Sequence, residues 1–332
     1  MKRIYLMLFL FFLFACRQEQ QQNQKSGYKQ IGAIERMHTD LDQLINPTAK
    51  IEVLAEGFTW VEGPLWISKW QSLLFSDIPN NTVYRWSKKN GLETYLKPAG
   101  YTGKLTRGGE LGSNGLLLDV KDQLILCQHG DRRIARMDAP LHAPKPEFTS
   151  LADQYQRKKF NSPNDIIQRS NGDLIFTDPP YGLNNQQISK QELSFYGVYK
   201  LDTLGHVVLL IDSLHRPNGL ALTPDEKQLI VGNSDGDKPM LYAYDILPKG
   251  TLKAAGIVFD FSQYHGAPDG FKIDRQGNLF VSGPGGIWIL NKSYQAIGRI
   301  KIPHAVSNCC LADDDKTLYI TANHQLLRVK MR

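Results

Sequence analysis

Side chains suited to soft metals or to redox chemistry are scarce in this chain. It has four cysteines in 332 residues, with no CxxC pair and no HExxH pattern. A zinc centre built on thiolates or imidazoles therefore has no support. Cys127, Cys309 and Cys310 fall in segments that read as strands, where a free cysteine is a small core residue. The adjacent pair Cys309 and Cys310 should point to opposite faces of its strand, which disfavours a disulfide between them. Basic charge is not concentrated either. The 39 lysines and arginines against 33 acids are scattered, apart from Arg132-Arg133 and Arg157-Lys158-Lys159. That excludes a nucleic-acid footprint, so no nucleic acid is expected as a partner. Helical periodicity is nearly missing, which leaves strands as the building material.

What is present is repetition. Six times a small polar or acidic residue opens an apolar strand that turns through a polar tip into a second strand. The openings are Glu62-Gly63, Asn114-Gly115, Asn164-Asp165, Asn218-Gly219, Asp269-Gly270 and Asn308, spaced 52, 50, 54, 51 and 39 residues apart. Asn171-Gly172 and Gln276-Gly277 supply turn residues that tolerate positive φ, and Pro224-Asp225 presets another turn. A third strand recurs as Val83-Tyr84-Arg85-Trp86, Val198-Tyr199-Lys200-Leu201 and Ile287-Trp288-Ile289-Leu290. Such a period in a strand-rich chain means one four-stranded sheet per repeat, arranged around an axis. The expected fold is all-β, a six-bladed β-propeller spanning residues 46–332. The last repeat supplies only three strands before the chain ends, and an orphan strand over residues 51–57 precedes the first. Pairing the two closes the ring and removes both open sheet edges.

The N-terminus reads as an address. Lys2 and Arg3 precede an apolar run from Ile4 to Ala15, too short for a free-standing helix across a bilayer of roughly 30 Å. Residues 1–15 read as a signal peptide. Leu13-Phe14-Ala15-Cys16 resembles a bacterial lipobox, with Cys16 as the lipidated residue. The Gln-rich segment that follows reads as a disordered tether, and residues 16–45 are assigned to the lipidated cysteine and that tether. The expectation is an exported lipoprotein, periplasmic or on the outer membrane, held to the membrane by its N-terminal lipid.

In a propeller, residues at equivalent blade positions share one ring facing the central channel. Glu62, Asn164, Asn218 and Asp269 then converge from four blades. Two carboxylates near an axis repel and are costly to desolvate unless a cation compensates them or one is protonated. With two amide oxygens they make an all-oxygen set, which suits a hard divalent cation. Calcium is the first choice for its tolerant geometry, with magnesium or manganese as alternatives.

The motifs Val61-Glu62-Gly63-Pro64-Leu65-Trp66, Asn161-Ser162-Pro163-Asn164-Asp165, Thr177-Asp178-Pro179-Pro180-Tyr181-Gly182-Leu183, Arg216-Pro217-Asn218-Gly219-Leu220 and Pro268-Asp269-Gly270 resemble the gluconolactonase branch of the senescence-marker-protein (regucalcin-like) family. Gly112-Ser113-Asn114-Gly115-Leu116 and the run from Cys127 to Arg133 are similar to that branch as well. The likeness runs from about residue 50 to the C-terminus. It implies a six-bladed propeller with one divalent metal in the tunnel, usually calcium or zinc, and hydrolysis of sugar or related lactones. By motif match, Glu62, Asn164, Asn218 and Asp269 occupy the metal-binding positions. Animal members carry a substrate-contacting arginine two residues before the first tunnel asparagine, where this chain has Ser162, so substrate contacts do not carry over.

Lactone hydrolysis needs a polarised carbonyl, an activated water and stabilisation of a tetrahedral oxyanion. Asp269 is the candidate general base, with His129 and His304 as alternatives. Asn114, His129, Tyr181 and His304 are the candidate substrate contacts. Residues 179–195 form an insertion that reads as a lid or rim. Two other functions fit the same residues: a non-catalytic propeller binding a glycan or a protein, and an esterase or phosphotriesterase using the same metal.

Overall fold

The computed structural model describes residues 27–188 and 190–332. Among these, six large antiparallel sheets stand as the blades of a propeller, with one further two-stranded hairpin. The innermost strands, in blade order, are Val61–Ile67, Ser113–Leu118, Ile166–Gln168, Pro217–Leu222, Phe271–Ile273 and Asn308–Ala312. Four sheets run outward in sequence order as simple meanders, while the fifth and sixth are completed on the outside by strands from the N-terminal segment.

Second strands are near-continuous apolar runs because both of their faces are covered. In Leu124–Gln128, Leu124 and Leu126 pack with Leu74 and Val83 of the first blade. Ile125 and Cys127 pack with Phe160 and Phe176 toward the third. Alternate residues thus serve two neighbouring blades, and all four are at most 1% exposed. The period of two survives, while the polar half of the usual strand pattern is lost.

Closure follows the expected route. Ile51–Glu56 pairs antiparallel with Gln325–Lys330, in register Val329↔Ile51 to Gln325↔Glu56. Arg328 donates to Glu52 across this joint at 2.8 Å, and both side chains are nearly buried.

The expected boundary at residue 46 lies too far along the chain. Gln30–Ile31 adds a fifth strand to the sixth blade, and Ala33–Arg36 adds a fifth strand to the fifth blade, against Ala296–Lys301. A short helix, Leu41–Leu44, then packs into the same core, with Leu41 and Ile45 fully buried. Residues 30–45 are therefore part of the propeller and not tether. Leu41, Leu44 and Ile45 form an i, i+3, i+4 apolar stripe whose partners, such as Ile287 and Ile297, lie far away in sequence. Cys16, the expected lipidation site, and residues 1–15, the expected signal peptide, lie outside the described residues.

At the axis, the glycine after a ring residue is required by close approach. A Cβ on Gly219 would sit 2.4 Å from the carbonyl oxygen of Asp269, and one on Gly270 would sit 2.1 Å from Cγ of Asn308. The Asn218-Gly219 pair lies within an inner strand and Asp269-Gly270 directly before one, so their glycines serve close approach at the axis and do not mark hairpin turns.

Candidate functional site at one mouth of the tunnel

The ring residues stand at the start of the inner strands, so all six gather at one mouth of the tunnel. They form two hydrogen-bonded arcs. In the longer, the Asn114 amide donates to Asn164 at 2.7 Å and the Asn164 amide to Asn218 at 2.6 Å. The Asn218 side chain in turn bonds Asp269. In the shorter, the Asn308 amide donates to Glu62 at 3.2 Å, and the Gly63 N–H adds a second bond at 2.8 Å. Hydroxyls of second strands pin the arcs from behind. Ser76 donates to the Asn114 carbonyl at 2.9 Å and Thr177 to the Asn218 carbonyl at 2.8 Å.

The four residues expected to hold a metal thus lie together. With Asn114, Trp60, Tyr181 and Glu110 they line a cavity of about 250 Å³. Burial, and then the charge of Asp269, push the Glu62 carboxyl well above the ordinary carboxylate range. Asp269 is pushed up to about 7, first by burial and then by the charges of Asp165 and Glu110, against the pull of its bond to Asn218. Both shifts mark anions that have lost water without gaining a positive partner.

A cation is supplied, but on the far side of the ring. The third repeat carries Asp165 where four others carry glycine, and its nearly buried carboxylate lies 3.6 Å from the ammonium of Lys272. Lys272 also donates to Asn308 Oδ1 at 3.3 Å and to the Phe271 carbonyl at 3.1 Å. Glu62, Asp165 and Asp269, with Glu110 at the wall, set four carboxylates against the one ammonium of Lys272, a negative surplus that suits a divalent cation. Among the described residues no three of His, Cys, Asp and Glu gather closely enough to hold a metal alone. A cation here would lean on amide oxygens, as an all-oxygen site for a hard ion does. The donor set fits such an ion.

The other expected residues divide. Tyr181 forms part of the wall, its hydroxyl bonded to Ser234 and Asn218. Burial and the nearby Asp269 charge push it up to about 12. His129 does not reach the wall. It is fully buried, and its Nδ1 lies 2.8 Å from Oε2 of Glu110. His304 stacks edge-on against His324 at 4.7 Å between ring centroids and is not part of the cavity lining. Ser162, two residues before Asn164, is also fully buried. Its hydroxyl donates to the Pro179 carbonyl at 2.6 Å and accepts from the Gly182 N–H at 2.9 Å. It therefore pins the base of the 179–195 insertion, which buries Leu183 and Leu193 as a packed rim.

Sequence reasoning missed Trp60 and Glu110 at this mouth and Lys272 beneath the ring. Lys272 left a signal, a charge in the middle of a three-residue inner strand. Glu110 left none, since it sits in an irregular stretch between blades.

Comparison with known proteins identifies the family and matches the fold. Residues 60–324 match the SMP-30/gluconolactonase/LRE-like region. A gluconolactonase of Zymomonas mobilis is 36% identical over 313 residues, covering 91% of this chain and 87% of its own. A regucalcin of Xenopus laevis is 25% identical, covering 82% and 86%. The solved structure of a gluconolactonase from Xanthomonas campestris superposes with a TM-score of 0.78 at 29% identity, covering 93% and 99%.

Proposed function

Because the chain belongs to the SMP-30/gluconolactonase/LRE-like family, we propose that it is a hydrolase of sugar lactones that works with one divalent cation at the ring. The observation that carries this reading is the convergence of Glu62, Asn164, Asn218 and Asp269 on one cavity, with two carboxylates lacking a neutralising partner. These four residues would hold the ion, calcium by preference, with zinc, magnesium or manganese as other candidates. When bound, a divalent ion supplies a Lewis acid for the lactone carbonyl and lowers the pKa of water.

The remaining work belongs to the chain's own side chains. Asn114 presents an amide, and Tyr181 a hydroxyl that stays protonated at neutral pH, so both can bond substrate hydroxyls. Trp60 offers an apolar face to a sugar ring. Asp269 has a proton affinity near neutrality, but its carboxylate is tied to Asn218 and belongs to the ion-holding set.

Glu62→Ala and Asp269→Ala are each expected to lose divalent-ion binding by calorimetry together with hydrolysis of D-glucono-1,5-lactone in a pH-stat. An Asp269→Ala protein of full activity would end the proposal. We also propose that Cys16 carries a lipid that holds the enzyme at a membrane outside the cytoplasm. The support is the basic and apolar run ending in Leu13-Phe14-Ala15-Cys16.

A further inference from the structure

The segment linking the first two blades, residues 97–112, is held down at several points. Near its start, Asn81 Oδ1 accepts the N–H groups of Ala99, Gly100 and Tyr101 at 3.0, 2.6 and 3.2 Å. At its end, the Gly112 N–H bonds the Ile78 carbonyl at 2.7 Å. In the middle, Arg107 reaches across to the rim of the third blade. Its guanidinium donates to the Gly182 carbonyl at 2.8 Å, to Gln187 Oε1 at 2.9 Å and to the Gly130 carbonyl. The segment is therefore a strap laid over the mouth, and Glu110 is the residue it adds to the cavity wall.

Glu110 is aimed by His129. The imidazole is fully buried and, among the described residues, its Nε2 has no partner, so its one polar contact there is Nδ1 to Glu110 Oε2 at 2.8 Å. A buried lone pair left bare costs less than a buried N–H left bare, so the proton sits on Nδ1 and is donated to the carboxylate. Oε1 is left without a protein partner among the described residues, on a side chain about a third exposed. The other two carboxylates of the cavity are tied into the ring arcs.

We propose that Glu110 is the proton-transfer residue of the site and that His129 is its positioning residue. This rests on the lactonase reading above. Oε1 of Glu110 takes a proton from water as the water oxygen bonds to the lactone carbonyl carbon. The tetrahedral adduct then collapses, and the bond from that carbon to the ring oxygen breaks. Glu110 returns the same proton to the departing ring oxygen, giving the hydroxy acid and the starting carboxylate. Arg107 ties the same strap to the rim of the third blade.

The test compares wild type, Glu110→Gln, Glu110→Ala and His129→Gln on D-glucono-1,5-lactone. Calorimetry with CaCl₂ and a melting curve accompany each. Glu110→Gln is expected to lose about 100-fold or more in kcat while still binding Ca²⁺ and melting like wild type. Formate, as an external proton acceptor, is expected to restore part of the activity of Glu110→Ala. His129→Gln is expected to lose less than Glu110→Gln and to gain nothing from formate. A Glu110→Gln protein with wild-type kcat overturns the inference and leaves the lactonase reading standing. So does loss of Ca²⁺ binding in step with activity, or a Glu110→Ala protein that formate cannot rescue. A wild-type protein that opens no lactone under any divalent ion removes both.

Discussion

A carboxylate drawn out of water without a counter-charge holds its proton more tightly, and at this mouth Glu62 and Asp269 share that condition. Asp269 has a folded-state value of about 7 against 3.8 for the free side chain. Between those values the folded protein keeps a proton that the unfolded chain has lost. The contribution to stability is therefore complete at low pH and falls away as pH rises through about 7. Glu62 is shifted in the same direction. A divalent ion reverses the sign, because it binds the deprotonated pair and must displace any proton there. We expect CaCl₂ to raise the Tm of metal-stripped protein more at about pH 8 than at about pH 5.5. Equal shifts at both values would mean that the ring carboxylates do not hold the ion. The same scale explains what was legible here. Glu62, Asn164, Asn218 and Asp269 could be found because repetition aligns them. Glu110 and Trp60 could not, because no repeat register governs the stretches that carry them.

Secondary-structure elements were legible in proportion to how local their causes are. Inner and second strands announce themselves by apolar runs between Gly, Asn and Asp turns. The N-terminal additions do not, since Gln30–Ile31 and Ala33–Arg36 are short edge strands that become strands by borrowing hydrogen bonds from distant partners. The helix Leu41–Leu44 has only four residues, far below the length at which a helix stands alone. It exists because Leu41 is pressed against Gly298, where a Cβ would sit 2.4 Å from the leucine side chain. Leu41→Ala is expected to cost about 2–5 kcal/mol in urea unfolding, as for other fully buried leucines. The kcat of the folded variant should not change, since this helix is remote from the ring. A loss below ~0.5 kcal/mol would return the segment to the tether.

For the whole molecule, closure depends on pairing between the two ends of the propeller chain, and the proposed address on the N-terminal segment. The joint of Ile51–Glu56 with Gln325–Lys330 brings together residues 276 apart in sequence at Arg328 and Glu52, and makes six sheets into one ring. The proposed membrane address rests on the first sixteen residues. Cys16→Ser is expected to move the protein from the membrane fraction to the soluble fraction with its lactonase activity intact. Retention on the membrane would point to another anchor. The amino-acid sequence by itself determined the blade number, the closing strand and the ring positions, because each is written as a pattern that recurs or is conspicuously left over. Only the tertiary structure decided that Ser162 is a pin and not a substrate contact, that His129 stands behind Glu110, and that Lys272 answers Asp165 beneath the ring. Those relations join side chains from different blades and loops. The distance between such groups is set by how the blades pack around the axis, which no local pattern records.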